Sequence, residues 1–361
     1  MEDNFKVGSP NLFIEAIKDS CESYCHIFRL SKITPVWSIS SLLTQCMSSR
    51  TKTITINNTE YTILKYLSEG AFSYVYLVQN SHGLYALKKI TNDGFEAEVS
   101  CYQRFKSKFI INLLNYSIQD GAINLIFPYF KNGNLQDYIN VNNAFDEKTA
   151  LKLFSGVCQA VAVLHNYNTL DSNSYPPSSI DGDDDGTDAV PYAHRDIKPG
   201  LKGTLSTDHR SSNVMLTDNA LPVLMDFGSC IKARVRVNNR SEALIQQDMA
   251  AEHSSMPYRA PELFDVKSDT TLDEKVDIWS LGCTLYALTY SHSPFEDPKQ
   301  AAQGGSIAMA VQSGRYNYPS NDTHSDGFKS VIDACLKLNP AERPSVDELI
   351  RLTESALTEN I

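Results

Sequence analysis

Four short stretches place charged side chains where phosphate chemistry could be done. In Tyr192-Ala-His-Arg-Asp196-Ile-Lys198-Pro a carboxylate precedes an ammonium by two residues. Asp196 is a candidate to accept or orient a hydroxyl, and Lys198 to neutralise charge on a transferring phosphoryl group. Val223-Leu-Met-Asp226-Phe-Gly228 is an apolar run ending in an aspartate, and a carboxylate at a strand end can ligate Mg²⁺ between phosphates, hard oxygen to hard cation. Tyr85-Ala-Leu-Lys88 carries a lysine among strand-forming residues. Lys88 is suited to pairing phosphates, with Glu98 on a following helix to hold it forward; an edge lysine reaching for water reads the same way. Leu67-Ser-Glu-Gly70-Ala-Phe-Ser-Tyr-Val75 turns between two strands. Backbone N–H groups of such a loop can cover phosphates, although an ordinary hairpin turn fits equally.

The hydrophobic pattern sketches the elements that must hold these groups. Ile54 and Ile56 alternate with polar residues, Asn57-Asn58 offers a turn, and Tyr61, Ile63, Lys65 and Leu67 resume the alternation, which predicts a β-hairpin. Strands are predicted over 74–78 and 84–90 with a turn at Ser81-His82-Gly83, a helix over 96–105, and strands near 113–118 and 123–127. After Gly133 the pattern turns helical. Asp146 caps a segment with Leu151, Phe154, Val157, Val161 and Leu164 at helical spacing, and 278–288 is apolar enough for a buried helix. The class is α+β, β-rich first and α-rich afterwards. Residues 166–191, rich in Pro, Ser, Gly and Asp, carry too little apolar surface to offset the entropy of ordering and are predicted disordered.

Composition excludes several functions. The chain has 361 residues, 42% hydrophobic and 21% charged, with a net charge of −11. That balance gives no basic face for nucleic acid, and Asp181, Asp183, Asp184, Asp185 and Asp188 localise much of it within the insert. Eight scattered cysteines, without a CxxC pair or a secretory leader, fit a reduced cytosolic protein, and Cys21 and Cys25 are too isolated for a metal site. No apolar run reaches the roughly 18–20 residues of a membrane span. Glu2 follows Met1, so the N-myristoylation pattern is absent. Residues 1–52 read as an extension that is flexible or attaches to a membrane.

Downstream, Ala260-Pro-Glu262, Asp277-Ile-Trp-Ser-Leu-Gly282 and Arg343, placed to pair with Glu262, follow in order. Together these residues resemble the protein kinase superfamily along 53–355. Ser229-Cys230, the helix-prone ALIQQDMAAE at 243–252 and Tyr258-Arg-Ala-Pro-Glu-Leu-Phe264 narrow the resemblance to the Numb-associated kinase family. Within it they resemble the branch of a myristoylated and palmitoylated mammalian Ser/Thr kinase, and the acidic insert is similar to that of a yeast vacuole-membrane kinase. The resemblance implies a two-lobed protein kinase fold. Its N-lobe (53–127) holds an antiparallel β-sheet plus one helix, its hinge is 128–131, and its C-lobe (132–355) is mainly α-helical with an extra helix in the activation segment. It also implies an enzyme that phosphorylates protein Ser/Thr hydroxyls with ATP and Mg²⁺, autophosphorylates, and attaches through acylated cysteines to the cytosolic face of the vacuole or Golgi membrane. Cys46 stands about where the branch carries such cysteines, with Val36, Trp37, Ile39, Leu42 and Leu43 able to touch a bilayer; an unmodified thiol in a loose tail is the alternative.

Carried over residue by residue, the resemblance assigns Leu67, Val75, Ala86 and Met215 to an adenine sandwich and Phe127 to the gate behind it. Pro128 would offer its C=O, and Phe130 its N–H and C=O, to the base. Asn213 and Asp226 would hold Mg²⁺. Ser254 and Ser255 are candidate phosphosites that Arg195 would read. Two departures stand out. In the phosphate loop only Gly70 remains of the family's three glycines; Ser68 and Ser73 replace the others, and Ser68 would cost on the order of 1 kcal/mol if its φ had to be positive. Residues 200–211, GLKGTLSTDHRS, separate Pro199 from Ser212-Asn213, where the family has a single residue between the proline and the asparagine. They form an extruded loop with Asn213 still on the metal, or are an error of the gene model, or disable the site and leave a pseudokinase scaffold.

Overall fold

The computed structural model describes residues 52–70, 72–91, 95–142, 144–167, 190–200, 212–296 and 306–359. Cys21, Cys25 and Cys46, and nearly all of the inserts at 166–191 and 200–211, lie outside the described residues. The described chain opens with the predicted hairpin of β1 (Thr53–Ile56) and β2 (Thr59–Glu69). It turns at Asn57 and Asn58, whose φ of 44° and 64° asparagine tolerates better than other side chains. β3 (Ser73–Asn80), β4 (Gly83–Ile90), α1 (Phe95–Arg104), β5 (Asn115–Gln119) and β6 (Ala122–Pro128) complete the first lobe. The strands form one antiparallel sheet in the order β1-β2-β3-β4-β6-β5. β5 starts at Asn115 rather than at Leu113. β6 runs on through Pro128, paired with Tyr85, a strand-end position where a missing N–H is tolerated.

β2 carries two irregularities, between Ile63 and Lys65 and between Tyr66 and Ser68, which bend and twist the hairpin. The outer edges β1 and β5 are then joined by side chains. Asn57 Nδ2 donates to Asn115 Oδ1 at 2.8 Å and to the Tyr116 carbonyl at 2.9 Å, and Gln119 Nε2 donates to the Thr55 carbonyl at 2.6 Å. Ile56, Tyr61, Val78, Leu87 and Ile126 fill the space beneath as a small separate core. The other face of the sheet receives Val99, Cys101 and Tyr102 of α1 and Phe105 just after it, which join Ile90, Ile123, Leu125 and Phe127 in the main core.

The second lobe follows. α2 (Leu135–Asn142) leads to α3 (Glu147–His165), capped by Asp146, whose carboxylate accepts from the Thr149 N–H at 3.0 Å and hydroxyl at 2.7 Å. Leu151, Phe154, Val157, Val161 and Leu164 are buried along one stripe of α3, each contributing roughly 1.5–3 kcal/mol by leaving water. β7 (Tyr192–Ala193), β8 (Val214–Leu216), β9 (Pro222–Leu224), β10 (Ile231–Lys232) and β11 (Val235–Val237) carry the loops of the cleft. α4 (Arg240–His253) is the extra helix expected after Phe227-Gly228, and β12 (Thr270–Leu272) pairs with β11. α5 (Lys275–Tyr290) is buried from Val276 to Thr289 and packs between α3 and α7 (Asp326–Cys335); α8 (Val346–Glu359) packs on α3 and α7, and α6 (Ile307–Ser313) lies on the turns Met256–Tyr258 and Pro261–Leu263. This is the two-lobed α+β arrangement expected. Among the described residues no helix is long and apolar enough to cross a membrane.

Candidate active site

β4 alternates, and its register sets Lys88 opposite Val75 on one side and Leu125 on the other. α1 begins seven residues later and faces Glu98 inward. Lys88 Nζ lies 2.8 Å from Glu98 Oε1 and 2.8 Å from Asp226 Oδ1. Burial by itself would lower the Lys88 pKa, but the two carboxylates outweigh it and hold the ammonium well above its ordinary range. Asp226 shows the reverse balance: burial would raise it, and Lys88 brings it down to about 2. Burial prevails at Glu98, whose carboxyl is raised despite Lys88. Asp226 has a φ of 65°, strain of the kind that clusters at functional sites. Its N–H donates to Tyr102 Oη at 3.0 Å. Phe227, next along, packs on Tyr102 and His194 at 5.0 and 5.3 Å between ring centroids.

The loop after β7 is held from below. The fully buried Asp277 of α5 accepts from the N–H groups of His194 (2.7 Å) and Arg195 (2.8 Å). Beyond that anchor, Lys198 Nζ donates to Asp196 Oδ2 at 2.6 Å. Asn213 reaches the same carboxylate from the far side of the 200–211 insert. Its Nδ2 donates to the Asp196 carbonyl at 2.6 Å and to Oδ2 at 2.8 Å, and its N–H donates to the Lys198 carbonyl at 3.2 Å. The hairpin of β8 and β9 fixes Asn213 at a strand start, with Met225 N–H on its carbonyl at 2.9 Å. Gly200, where the insert departs, has φ 137°, and a Cβ there would meet Gln136 Cβ at 2.4 Å. Only glycine fits.

Asn213 Oδ1 is buried and has no hydrogen-bond partner. An orphaned acceptor of this kind is costly unless something completes it. The backbone of Met225, next to Asp226, hydrogen-bonds to Asn213, and the Asn213 amide oxygen and the Asp226 carboxylate are donors of the kind a hard cation would take. Among the described residues no cluster of three or more His, Cys, Asp or Glu forms a cage. Mg²⁺ usually takes one or two protein ligands and fills its shell from phosphates and water. The residues present fit such an ion.

Leu67 falls in the second irregularity of β2, Val75 pairs with Ser68, and Ala86 pairs with Phe127. Met215 on β8 bridges to Asn134. Phe127 is 2% exposed and packs 4.9 Å from Tyr102, which closes the space behind it. The Phe130 carbonyl accepts from the Gly133 N–H at 3.3 Å. Gly70 N–H donates to the Ser73 carbonyl at 2.7 Å, so the loop is a tight turn. Ser68 is an ordinary strand residue without positive φ, and the expected cost there does not arise.

The activation segment differs most from expectation. Arg195 does not reach Ser254 or Ser255. With φ 68° its side chain turns to Gln246 Oε1 of α4 at 3.3 Å. Ser254 Oγ instead accepts from Arg259 Nε at 2.8 Å, and Ser255 is tied into the site, its Oγ accepting from Lys198 Nζ at 2.6 Å and its N–H donating to Asp196 Oδ1 at 2.9 Å. Sequence reasoning therefore missed Ser255 as a positioning residue. No local signal marks it, because its partner stands 57 residues away. Arg343 does pair with Glu262 as expected, through two hydrogen bonds of 2.7 and 2.8 Å.

Comparison with known proteins agrees with this geometry. The protein kinase domain profile matches residues 61–171 and 191–353, and the gap between the two stretches falls on the acidic insert. The chain is 36% identical over 325 residues to serine/threonine-protein kinase ppk13 of Schizosaccharomyces pombe, covering 82% of this chain and 90% of that one. It is 31% identical to serine/threonine-protein kinase ENV7 of Saccharomyces cerevisiae, with 86% and 95% covered. It is 33% identical to human serine/threonine-protein kinase 16, with 86% and 94% covered. With a domain match over most of its length and relatives aligned nearly end to end, the chain belongs to the serine/threonine protein kinase family.

Proposed function

We propose that this kinase is catalytically competent, uses ATP with Mg²⁺, and carries its chemistry on the residues assembled around Asp196. The observation that supports the reading is the contact of Asn213 with Asp196 at 2.8 Å across the insert, which a disabled loop has no reason to keep. Asp196 orients the substrate hydroxyl and takes up its proton, and Lys198, fixed by Ser255, offsets charge on the phosphoryl group in transit. Lys88, held by Glu98, positions the phosphates. Asn213 and Asp226 would hold the metal, which supplies positive charge to the phosphates when bound. Leu67, Gly70, Val75, Ala86, Pro128, Phe130 and Met215 frame the nucleotide. The test compares phosphorylation of a generic protein substrate by the intact chain, a form lacking 200–211, and Asp196→Asn. Activity in the intact chain that disappears in Asp196→Asn is expected; silence of both the intact chain and the form lacking 200–211, with Mg²⁺·ATP binding also absent, would favour the scaffold.

Autophosphorylation and membrane attachment through acylated Cys46, at the cytosolic face of the vacuole or Golgi, belong to the same proposal and rest on the family resemblance. One acyl chain anchors only weakly without a second signal. Fractionation of wild type against Cys46→Ser decides it, and an unchanged membrane-bound share refutes it.

A further inference from the structure

The far end of α1 is fastened to the strand that opens the catalytic loop by a side chain that touches no reacting group. Arg104 is the last residue of α1, six residues and about 9 Å along the axis from Glu98. Its Nη1 donates to Tyr192 Oη, and its guanidinium carbon stands 5.0 Å from the centre of the Tyr192 ring and 5.6 Å from that of Tyr167. The two rings meet edge to face at 5.8 Å, and Phe105, next after Arg104, packs on them at 5.2 and 5.4 Å. Arginine suits this place because its planar cation rests on aromatic rings while its N–H groups still donate; a lysine ammonium offers no plane. Tyr192 is itself fixed. It is 7% exposed, pairs with Lys232 of β10, and stands two residues before His194, whose N–H and that of Arg195 are held by Asp277. Tyr167 closes the cluster, its carbonyl accepting from the Val190 N–H at 3.0 Å. Both tyrosines belong to the second lobe, and Arg104 reaches them from the first.

We propose that Arg104 is a positioning residue for phosphoryl transfer, its clamp on Tyr192 setting α1 against the catalytic loop so that Glu98 stays on Lys88 while Asp196 keeps its place. The other polar contacts of α1 face the cleft. Glu98 takes the Lys88 ammonium at 2.8 Å, and Tyr102 Oη accepts from the Asp226 N–H at 3.0 Å. Neither of these reaches β7 or the loop that carries Asp196, whereas Arg104 does. The position of this helix makes or breaks the lysine–glutamate pair of a kinase. Without the guanidinium, Val99, Tyr102 and Phe105 still pack in the main core, so α1 stays folded but is free to pivot about Tyr102. A pivot carries Glu98 off Lys88, and a misplacement of about 1 Å can cost about 100-fold in rate. Arg104 acts through Glu98, not on substrate, and the proposal rests on the catalytic reading above.

The experiment measures steady-state phosphorylation of one peptide substrate, and backbone hydrogen–deuterium exchange, on the full chain. The proteins are wild type, Arg104→Met, Glu98→Gln, the double variant and Tyr192→Phe. Methionine keeps an unbranched apolar stem and loses the charged fork. Arg104→Met should lower kcat about tenfold, with the peptide KM within about twofold of wild type. Added to Glu98→Gln, it should lower kcat by less than about threefold more, because a helix that no longer holds Lys88 has nothing left to position. Effects that multiply in full would mean general loosening and overturn the proposal, as would a kcat for Arg104→Met within about twofold of wild type. Exchange reads the clamp without catalysis. Amides of α1 should exchange at least about threefold faster in Arg104→Met, with those of α8 unchanged. Unchanged exchange in α1, or equal acceleration of both helices, overturns the clamp. Tyr192→Phe removes the same hydrogen bond from the other partner and keeps the ring, so it should move rate and exchange in the same direction. If Arg104→Met fails to fold, wild-type exchange in Tyr192→Phe overturns the proposal. A chain that shows the exchange differences but phosphorylates nothing refutes the catalytic reading instead, so the two failures are distinguishable.

Discussion

Replacing Ser255 by alanine removes one oxygen and leaves the backbone that carries it. The N–H of residue 255 still donates to Asp196 Oδ1 at 2.9 Å, so the loop stays attached. What disappears is the 2.6 Å hydrogen bond from Lys198 Nζ. Lys198 is only 5% exposed, so water replaces that oxygen poorly, and Lys198 keeps Asp196 Oδ2 as its remaining partner at 2.6 Å. A hydrogen bond to a charged group contributes about 1.5–3 kcal/mol. If Lys198 is needed in position only as charge develops, that loss appears in kcat. At about 1.4 kcal/mol per tenfold, kcat falls roughly 10- to 150-fold. The KM for ATP should change little, and Ser255→Thr, which keeps the hydroxyl, should restore the rate. Steady-state kinetics on one peptide substrate, with thermal melts to check folding, measure this. A kcat for Ser255→Ala within about twofold of wild type in a folded protein, or a loss that threonine fails to rescue, would refute the positioning argument.

Three other outcomes follow from the same contacts. Arg343→Met breaks a buried pair and leaves Glu262 unmatched, so unfolding in urea should be easier by about 3–5 kcal/mol, with part recovered on adding Glu262→Gln; equal stability of the single and double variants would contradict this. Lys88→Met removes the charge that keeps Asp226 at about 2. In the wild type that carboxylate favours the fold above about pH 4 and loses its contribution as pH falls toward 2. In the variant, burial raises its titration, so carboxyl NMR should find Asp226 shifted up and acid unfolding should begin at higher pH; an unmoved Asp226 would be decisive against. Asn57→Ala takes away two hydrogen bonds to β5 and places a Cβ-bearing residue without a polar group at positive φ. It should lower stability by on the order of 2 kcal/mol, read as a shifted denaturation midpoint, and no shift would mean that the stitched sheet edges contribute nothing.

Much of this protein was determined locally. Strands β1 to β4 follow from alternation and turn residues, and α3 from an Asp cap and a buried stripe, because both periodicities are imposed by backbone geometry over a few residues. The charged residues of the site were legible for a related reason. Lys88, Asp196 and Asp226 each sit beside short apolar runs or loop motifs whose spacing fixes which way they point. The tertiary structure decided what depends on distant chain segments meeting. Nothing near Asn213 shows that it returns to Asp196 after the 200–211 insert, since a loop of that length costs little to close and specifies no geometry. The anchor is Asp277 below and the β8–β9 hairpin beside. Arg195 was expected to read phosphates on Ser254 or Ser255, but its guanidinium meets Gln246 of α4 instead. Ser255 became a partner of Lys198 only once the activation segment had packed against the catalytic loop. Hydrophobic patterning determines which faces are buried; which polar groups then stand within 3 Å of one another is settled by packing.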